Sequence, residues 1–156
     1  MILDPTCSAK SIWFDKNNKN VVHCDIRVSR EYVGLGKNGR WWDIRPDVRM
    51  NFIAMPFPCE FFEMVVFDPP HLKDIGMTSY TAKKYGKLFT NWRDEIKNGF
   101  SECFRVLRTD GFLIFKWSEQ QIPLNDVLAL SEYYPLFGHT TGSKSTTKWI
   151  CFRKES

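Results

Sequence analysis

Apolar and polar positions along this chain follow two periods. Short apolar, β-branched or aromatic runs predict strands over Val21–Asp25, Met64–Asp68, Phe112–Trp117 and Lys148–Arg153. The first two end in Asp, where side chains leave a sheet for a loop. Between them the period changes. Phe89, Trp92, Ile96, Phe100, Cys103, Phe104 and Leu107 recur at spacings of three and four. That stripe predicts a helix over about 89–107, with Arg105 and Arg108 at its negative end and Gly111 in the turn beyond. A second helix is predicted from Pro123 through Leu124, Val127, Leu128 and Ser131. A short first helix is expected over 11–16.

Strands alternating with helices, with inner strands apolar on both faces, predict an α/β domain: a single Rossmann-like three-layer domain with a mostly parallel sheet. The late strands near 136–140 and 148–153 are separated only by a polar Gly-Ser-Lys-Ser stretch. They predict a C-terminal antiparallel hairpin. Ligands in such sheets sit at the carboxyl ends of the strands. Asp4, Asp25 and Asp68 all fall there, so three carboxylates are expected to line one crevice.

The chain has 156 residues, the length of one domain, so 1–156 is read as a single domain. No apolar run approaches the roughly 20 residues of a membrane span. The start, Met1 to Pro5, has no basic segment before an apolar stretch, unlike a signal peptide. The 5 cysteines (Cys7, Cys24, Cys59, Cys103, Cys151) are odd in number, dispersed and without a Cys-x-x-Cys pair. They are read as reduced, mostly buried thiols of a cytoplasmic protein, with neither disulfide framework nor metal site. The net charge of +4 is compatible with an acidic partner and too small to prove one.

The sharpest chemical feature is Phe67-Asp68-Pro69-Pro70-His71. Prolines fix the backbone and remove two N–H donors. A carboxylate beside a rigid carbonyl makes a double acceptor, suited to an NH2 group with its two donors. An aromatic ring at the fourth position can stack on the base that carries the amine. The plainer alternative is a strand-ending turn.

This motif resembles the fourth motif, Asp/Asn/Ser-Pro-Pro-Tyr/Phe/Trp, of class I S-adenosylmethionine-dependent methyltransferases of the amino-methylating type. The resemblance is to their small prophage and bacterial forms, and it covers most of the chain. Leu3-Asp4-Pro5-Thr6-Cys7-Ser8-Ala9-Lys10 stands where that family has Asp-Pro-Phe-x-Gly-Ser-Gly. Asp25 stands where it keeps an acid for the ribose hydroxyls, and Asn51-Phe52 where it contacts adenine. The resemblance implies S-adenosyl-L-methionine as cofactor. Asp4, Pro5, Thr6, Cys7, Ser8 and Lys10 would hold its methionine part, Asp25 its ribose, and Asn51 and Phe52 its adenine. Asp68 would border both cofactor and acceptor, with Pro69, Pro70 and His71 completing the catalytic motif. The implied reaction moves a methyl group to an exocyclic amino nitrogen, in the first place of adenine in DNA or RNA. Related motifs also methylate protein glutamine.

The chain departs from the pattern in places. Ser8, Ala9 and Lys10 stand where glycines are usual, His71 replaces a larger ring, and Asn51 replaces the commoner Asp. With only three residues before Asp4, the chain is expected to lack the helix that often precedes the first strand and covers the cofactor. A second copy or a partner subunit is one expected source of that cover. The rival reading is a catalytically inactive methyltransferase-like subunit that needs a partner. A nucleotide-binding dehydrogenase is disfavoured, because no Gly-x-Gly-x-x-Gly follows the first strand.

Three smaller signals remain. The insertion over 28–50 mixes Arg30, Lys37, Arg40, Arg45 and Arg49 with Trp41 and Trp42. It reads either as a nucleic-acid contact or as a surface loop whose tryptophans pack on the domain. The stretch 73–87, with Tyr80, Lys83 and Lys84, reads either as a lid over a polyanionic substrate or as a solvated loop. Cys59 follows a proline but precedes the fourth strand, which is the wrong place for a thiolate nucleophile. His23 and His139 are expected to pack within the sheet.

Overall fold

The computed structural model describes residues 1–34, 36–76, 79–138 and 146–156. In chain order the elements are β1 (Ile2–Asp4), β2 (Val21–Asp25), β3 (Ser29–Val33), β4 (Arg40–Ile44), β5 (Val48–Arg49) and β6 (Phe62–Phe67). Then come α1 (Tyr80–Tyr85), α2 (Trp92–Val106), β7 (Leu107–Ser118), α3 (Leu124–Leu128), β8 (Pro135–Gly138) and β9 (Thr147–Arg153).

Among the described residues, seven strands form one sheet in the order β5-β2-β1-β6-β7-β9-β8. The run from β5 to β7 is parallel, with Ile2 opposite both Val21 and Met64, and Val66 opposite Ile114. β9 returns antiparallel to β7, pairing Phe112 with Arg153 and Ser118 with Thr147, and β8 closes the edge antiparallel to β9. The expected C-terminal hairpin is therefore present. Residues 139 and 140 of its first strand, His139 among them, lie outside the described residues, as does Thr78 of the expected lid. Because β1, β2, β5, β6 and β7 run the same way, their carboxyl ends share one edge. The chain leaves β1 toward β2 and β5 on one side and toward β6 and β7 on the other, so the crevice opens beside β1.

Several expected boundaries move. No helix forms over 11–16; this stretch is turns and bends. The Trp13 indole is drawn under the chain to Asp4, and the Asp15 and Asn18 side chains cap local turns at Asn17 and Asn20. Phe89 lies ahead of α2 and is 61% exposed. The N–H of its neighbour Leu88 is held by the Leu72 carbonyl at 3.0 Å, which keeps this stretch extended. The helix ends at Val106 and β7 begins at once, because Leu107 already pairs with Phe62. α3 is shorter than expected; Ser131 makes a turn with Tyr133 instead. The 28–50 insertion is mainly the β3–β4 hairpin, with Ser29 opposite Ile44 and Val33 opposite Arg40. Its tail adds β5 to the sheet edge.

One apolar core joins Leu3, Val65 and Phe67 from the strands, Ile96, Phe100 and Phe104 from α2, and Val127 from α3. Gly99 sits where α2 packs closely on Phe67 of β6. A Cβ there would lie 2.8 Å from the Phe67 ring and 2.9 Å from the Phe52 ring. Gly99→Ala would gain about 0.8–1.0 kcal/mol of helix propensity but lose about 1–3 kcal/mol to overpacking. The variant should therefore unfold at lower urea with an unchanged slope. A raised midpoint would contradict this packing.

Candidate functional site

Asp4 is 1% exposed at the end of β1. Its Oδ1 accepts the Thr6 N–H at 3.2 Å and its Oδ2 the Trp13 indole N–H at 2.6 Å. The following loop keeps an unusual shape without glycine: Ser8 and Lys10 stand at φ 48° and 55°. A non-glycine residue there costs of order 1–3 kcal/mol, so contacts must hold it. Ser8 supplies them. Its N–H donates to Asp25 at 3.0 Å, its hydroxyl donates to the Lys84 carbonyl, and it accepts the Trp42 indole N–H at 3.1 Å. Lys10 turns aside to Asp47, with Nζ 3.6 Å from the carboxylate. Cys7 is buried, and burial beside Asp4 and Asp25 pushes its thiol far above the ordinary range. It is no nucleophile.

Asp25, 4% exposed, is filled by partners. Oδ1 accepts Arg27 N–H and Nε–H, both at 2.9 Å. Oδ2 accepts Ser8 N–H and Arg27 Nη2–H, both at 3.0 Å. A carboxylate has about four lone-pair sites, so a ribose diol reaches these oxygens only by displacing donors. Arg27 also donates from Nη1 to the Lys83 and Lys84 carbonyls of α1, each at 3.3 Å. Gly86, at φ 83°, ends α1; a Cβ there would meet Pro70 at 3.2 Å. Thus α1 lies close over the Asp68 motif.

Asp68 follows β6. Its N–H donates to Thr6 Oγ1 at 3.0 Å, and its Oδ2 accepts Lys116 Nζ at 2.6 Å. Oδ1 has no protein partner among the described residues. Burial, reinforced by Asp4, raises the carboxyl above its usual range, against the pull of Lys116. Burial beside Lys116 lowers His71 to about 4, so its imidazole is neutral at pH 7. His71 meets Trp117 edge-on at 6.2 Å.

Three spaces line up at this edge. The first, of about 270 Å³, is bounded by Pro5, Thr6, Asp25, Asn51, Phe52 and Pro70, and roofed by residues around α1. That is near the lower end of small-molecule sites. The second is a cleft of about 10 Å³ touching Thr6, Asp4, Ser8 and Asp68, room for about one water. The third, of about 230 Å³, is lined by Asp68, His71, Thr81, Lys116, Ser118, Gln120 and Thr147. Thr6 borders the first two and Asp68 the last two. Asn51 Oδ1 accepts the Ile53 N–H at 3.2 Å, forming the turn that presents Phe52.

The insertion residues divide. Trp41 is 59% exposed, with the Arg30 guanidinium 4.8 Å above its ring. Tyr80 is exposed, and Lys83 pairs with Glu31 at 3.2 Å. Trp42 and Lys84 are buried, with Lys84 Nζ 4.3 Å from the Trp42 ring. They tie the hairpin to α1, whereas Trp41, Tyr80 and Lys83 face outward. Arg27 enters the site unforeseen, and Lys116 lines the third space as the partner of Asp68. Away from this edge, the Arg105 guanidinium holds the Met55 and Phe57 carbonyls at 2.9 and 2.8 Å while paired with Glu102.

No protein-family model matches the chain, and no curated protein matches it in sequence. Solved structures do match it. A protein of Pyrococcus horikoshii OT3 superposes with a TM-score of 0.58 at 12% identity, over 99% of this chain and 81% of its own. A SAM-dependent methyltransferase of Methanosarcina mazei superposes with a TM-score of 0.59 at 14% identity, over 99% and 92%. The fold is the one that methyltransferase has. At this identity the likeness is one of fold. Among the described residues, no group of metal-ligating side chains is placed to hold an ion, and no helix is long and apolar enough to cross a membrane.

The depressed His71 value gives a test. In the unfolded chain an imidazole titrates near 6.5. The unfolded state therefore binds a proton that the folded state refuses, and His71's contribution to stability is lost as pH falls from about 6.5 toward 4. An NMR titration of the His71 ring should show a midpoint near 4. A midpoint near 6.5 would contradict the buried placement.

Proposed function

We propose that this chain is an S-adenosylmethionine-dependent methyltransferase acting on an exocyclic amino nitrogen, with adenine in DNA or RNA as the favoured acceptor. One observation carries the reading. The Thr6–Asp68 hydrogen bond stands between a nucleoside-sized cavity and a polar cavity.

The first cavity suits the adenosine half of the cofactor. Phe52 and Pro5 offer apolar walls, Asn51 a carboxamide, and Asp25 a carboxylate once Arg27 yields. The cleft beside Asp4 is too narrow for the methionine arm as it stands. Its loop, closed by Ser8, has to open. When bound, the cofactor supplies a methyl group on a sulfonium sulfur that departs as a neutral thioether.

On the acceptor side, Asp68 Oδ1 accepts one N–H of the amine and aims the nitrogen lone pair toward the first cavity. The new N–C bond forms from that lone pair, leaving the nitrogen cationic. Asp68, raised by burial, then takes the surplus proton and passes it to water. Pro69 and Pro70 keep the strand end stiff. Positioning of this kind can supply up to about 7–11 kcal/mol. The exposed Trp41 and Tyr80 with Arg30 and Lys83 suit phosphate and base contacts, which favours a nucleic acid over protein glutamine.

The second reading, a non-catalytic subunit, is favoured by the filled Asp25 carboxylate and the narrow cleft. Calorimetric titration separates the two. The enzyme should bind both S-adenosylmethionine and S-adenosylhomocysteine. Asp25→Asn, shown to be folded by circular dichroism, should weaken both by about 10-fold or more. A folded wild-type chain that binds neither would favour the subunit.

A further inference from the structure

We propose that Lys116 is a positioning residue for transfer to the amine: by engaging Oδ2 of Asp68 it leaves Oδ1 as the oxygen that receives the acceptor's N–H. The inference rests on the methyltransferase reading and adds to it a residue outside the Asp-Pro-Pro-His motif.

The geometry is specific. Lys116 lies on β7 directly opposite Trp149 of β9, and its Nζ stands 5.7 Å from the Trp149 ring centre. β7 is parallel to β6, with Phe115 opposite Phe67, so Lys116 is in register with the residue that follows the strand, Asp68. The ammonium reaches across at 2.6 Å, and both side chains are largely buried, at 20% and 14% exposure. A rotating carboxylate would present either oxygen to the acceptor cavity. A carboxylate pinned at Oδ2 by a charge-assisted hydrogen bond, and at its backbone N–H by Thr6, presents one. The same contact opposes the neutralisation that burial would impose on an unpaired carboxylate.

Among the described residues, the charged groups facing Asp68 are few. Lys116 comes from β7 and Asp4 from β1, while His71 on its own loop is neutral at pH 7. Thr81, Ser118, Gln120 and Thr147 bring no charge to the cavity. Among the described groups, removing Lys116 therefore leaves burial and Asp4 unopposed. Asp68 would then ionise only at higher pH, and turnover, which needs the ionised form, would fail sooner as pH is lowered.

The test is methyl transfer from labelled S-adenosylmethionine to random-sequence single-stranded DNA and RNA oligonucleotides, followed against pH. Lys116→Met should lower kcat about 10²-fold and move the acid limb up by about one pH unit or more, with cofactor affinity unchanged. Lys116→Arg should restore most of the rate. Asp68→Asn should have a flat acid limb, and adding Lys116→Met to it should cost little more, since the two residues act as one unit. This double variant buries no unpaired charge, so it stays informative if Lys116→Met alone fails to fold. An equal cost of Lys116→Met in the wild-type and Asp68→Asn backgrounds would overturn the proposal. So would an unmoved acid limb. A wild-type chain that transfers no methyl would overturn the methyltransferase reading and this proposal with it, whereas transfer that is indifferent to Lys116 overturns this proposal alone.

Discussion

Asp25 accepts four hydrogen bonds at the end of β2, and much of the crevice depends on them. Through Ser8 the carboxylate fixes the loop after β1 in its left-handed turns. Through Arg27 it fixes the carbonyls at the end of α1, which roofs the first cavity. A buried carboxylate needs such partners, since unpaired it would be too costly to keep charged. The same satisfaction constrains function, because a ligand's hydroxyl groups must exchange with donors already in place. A ligand that reached the Asp25 oxygens would displace Arg27 and so loosen its hold on α1.

Asp68 is built differently. Among the described residues it keeps one oxygen uncommitted, and it borders a cavity whose other named walls are polar. Ion pairing on one side and an open acceptor on the other is what an amine-binding carboxylate requires. The contrast is between a carboxylate that holds structure together and one held ready. Both sit at carboxyl ends of parallel strands, where backbone pairing stops and side chains are released to the crevice.

Much of this was legible in the sequence, and the limits have physical causes. The strands of the central sheet read clearly because their runs are buried on both faces, and the terminal Asp residues marked the edge. The α2 stripe read clearly from Trp92 onward. Phe89 misled, because an apolar residue at the right spacing lines the first cavity here and does not extend the helix. The short helix over 11–16 failed because Trp13 found Asp4, a contact that no local pattern encodes. Trp41 and Trp42 look alike in sequence. The alternation of a hairpin strand sends one outward and the other under α1. Arg27 was opaque for a related reason: a charged residue two positions after Asp25 looks solvated until the fold supplies its partner.

The glycine-free loop shows the same dependence on context. Its shape survives in Ser8 and Lys10 because Asp25, Trp42 and the Lys84 carbonyl hold Ser8 in place. The central claim is that this edge delivers a methyl group to an amine held by Asp68. The most direct measurement is incubation with deuteromethyl-labelled S-adenosylmethionine and single-stranded DNA or RNA, then digestion and mass spectrometry of the nucleosides. The account predicts the label on the exocyclic nitrogen of adenine and its disappearance with Asp68→Ala. Label on a ring carbon, or transfer that survives Asp68→Ala, would contradict it.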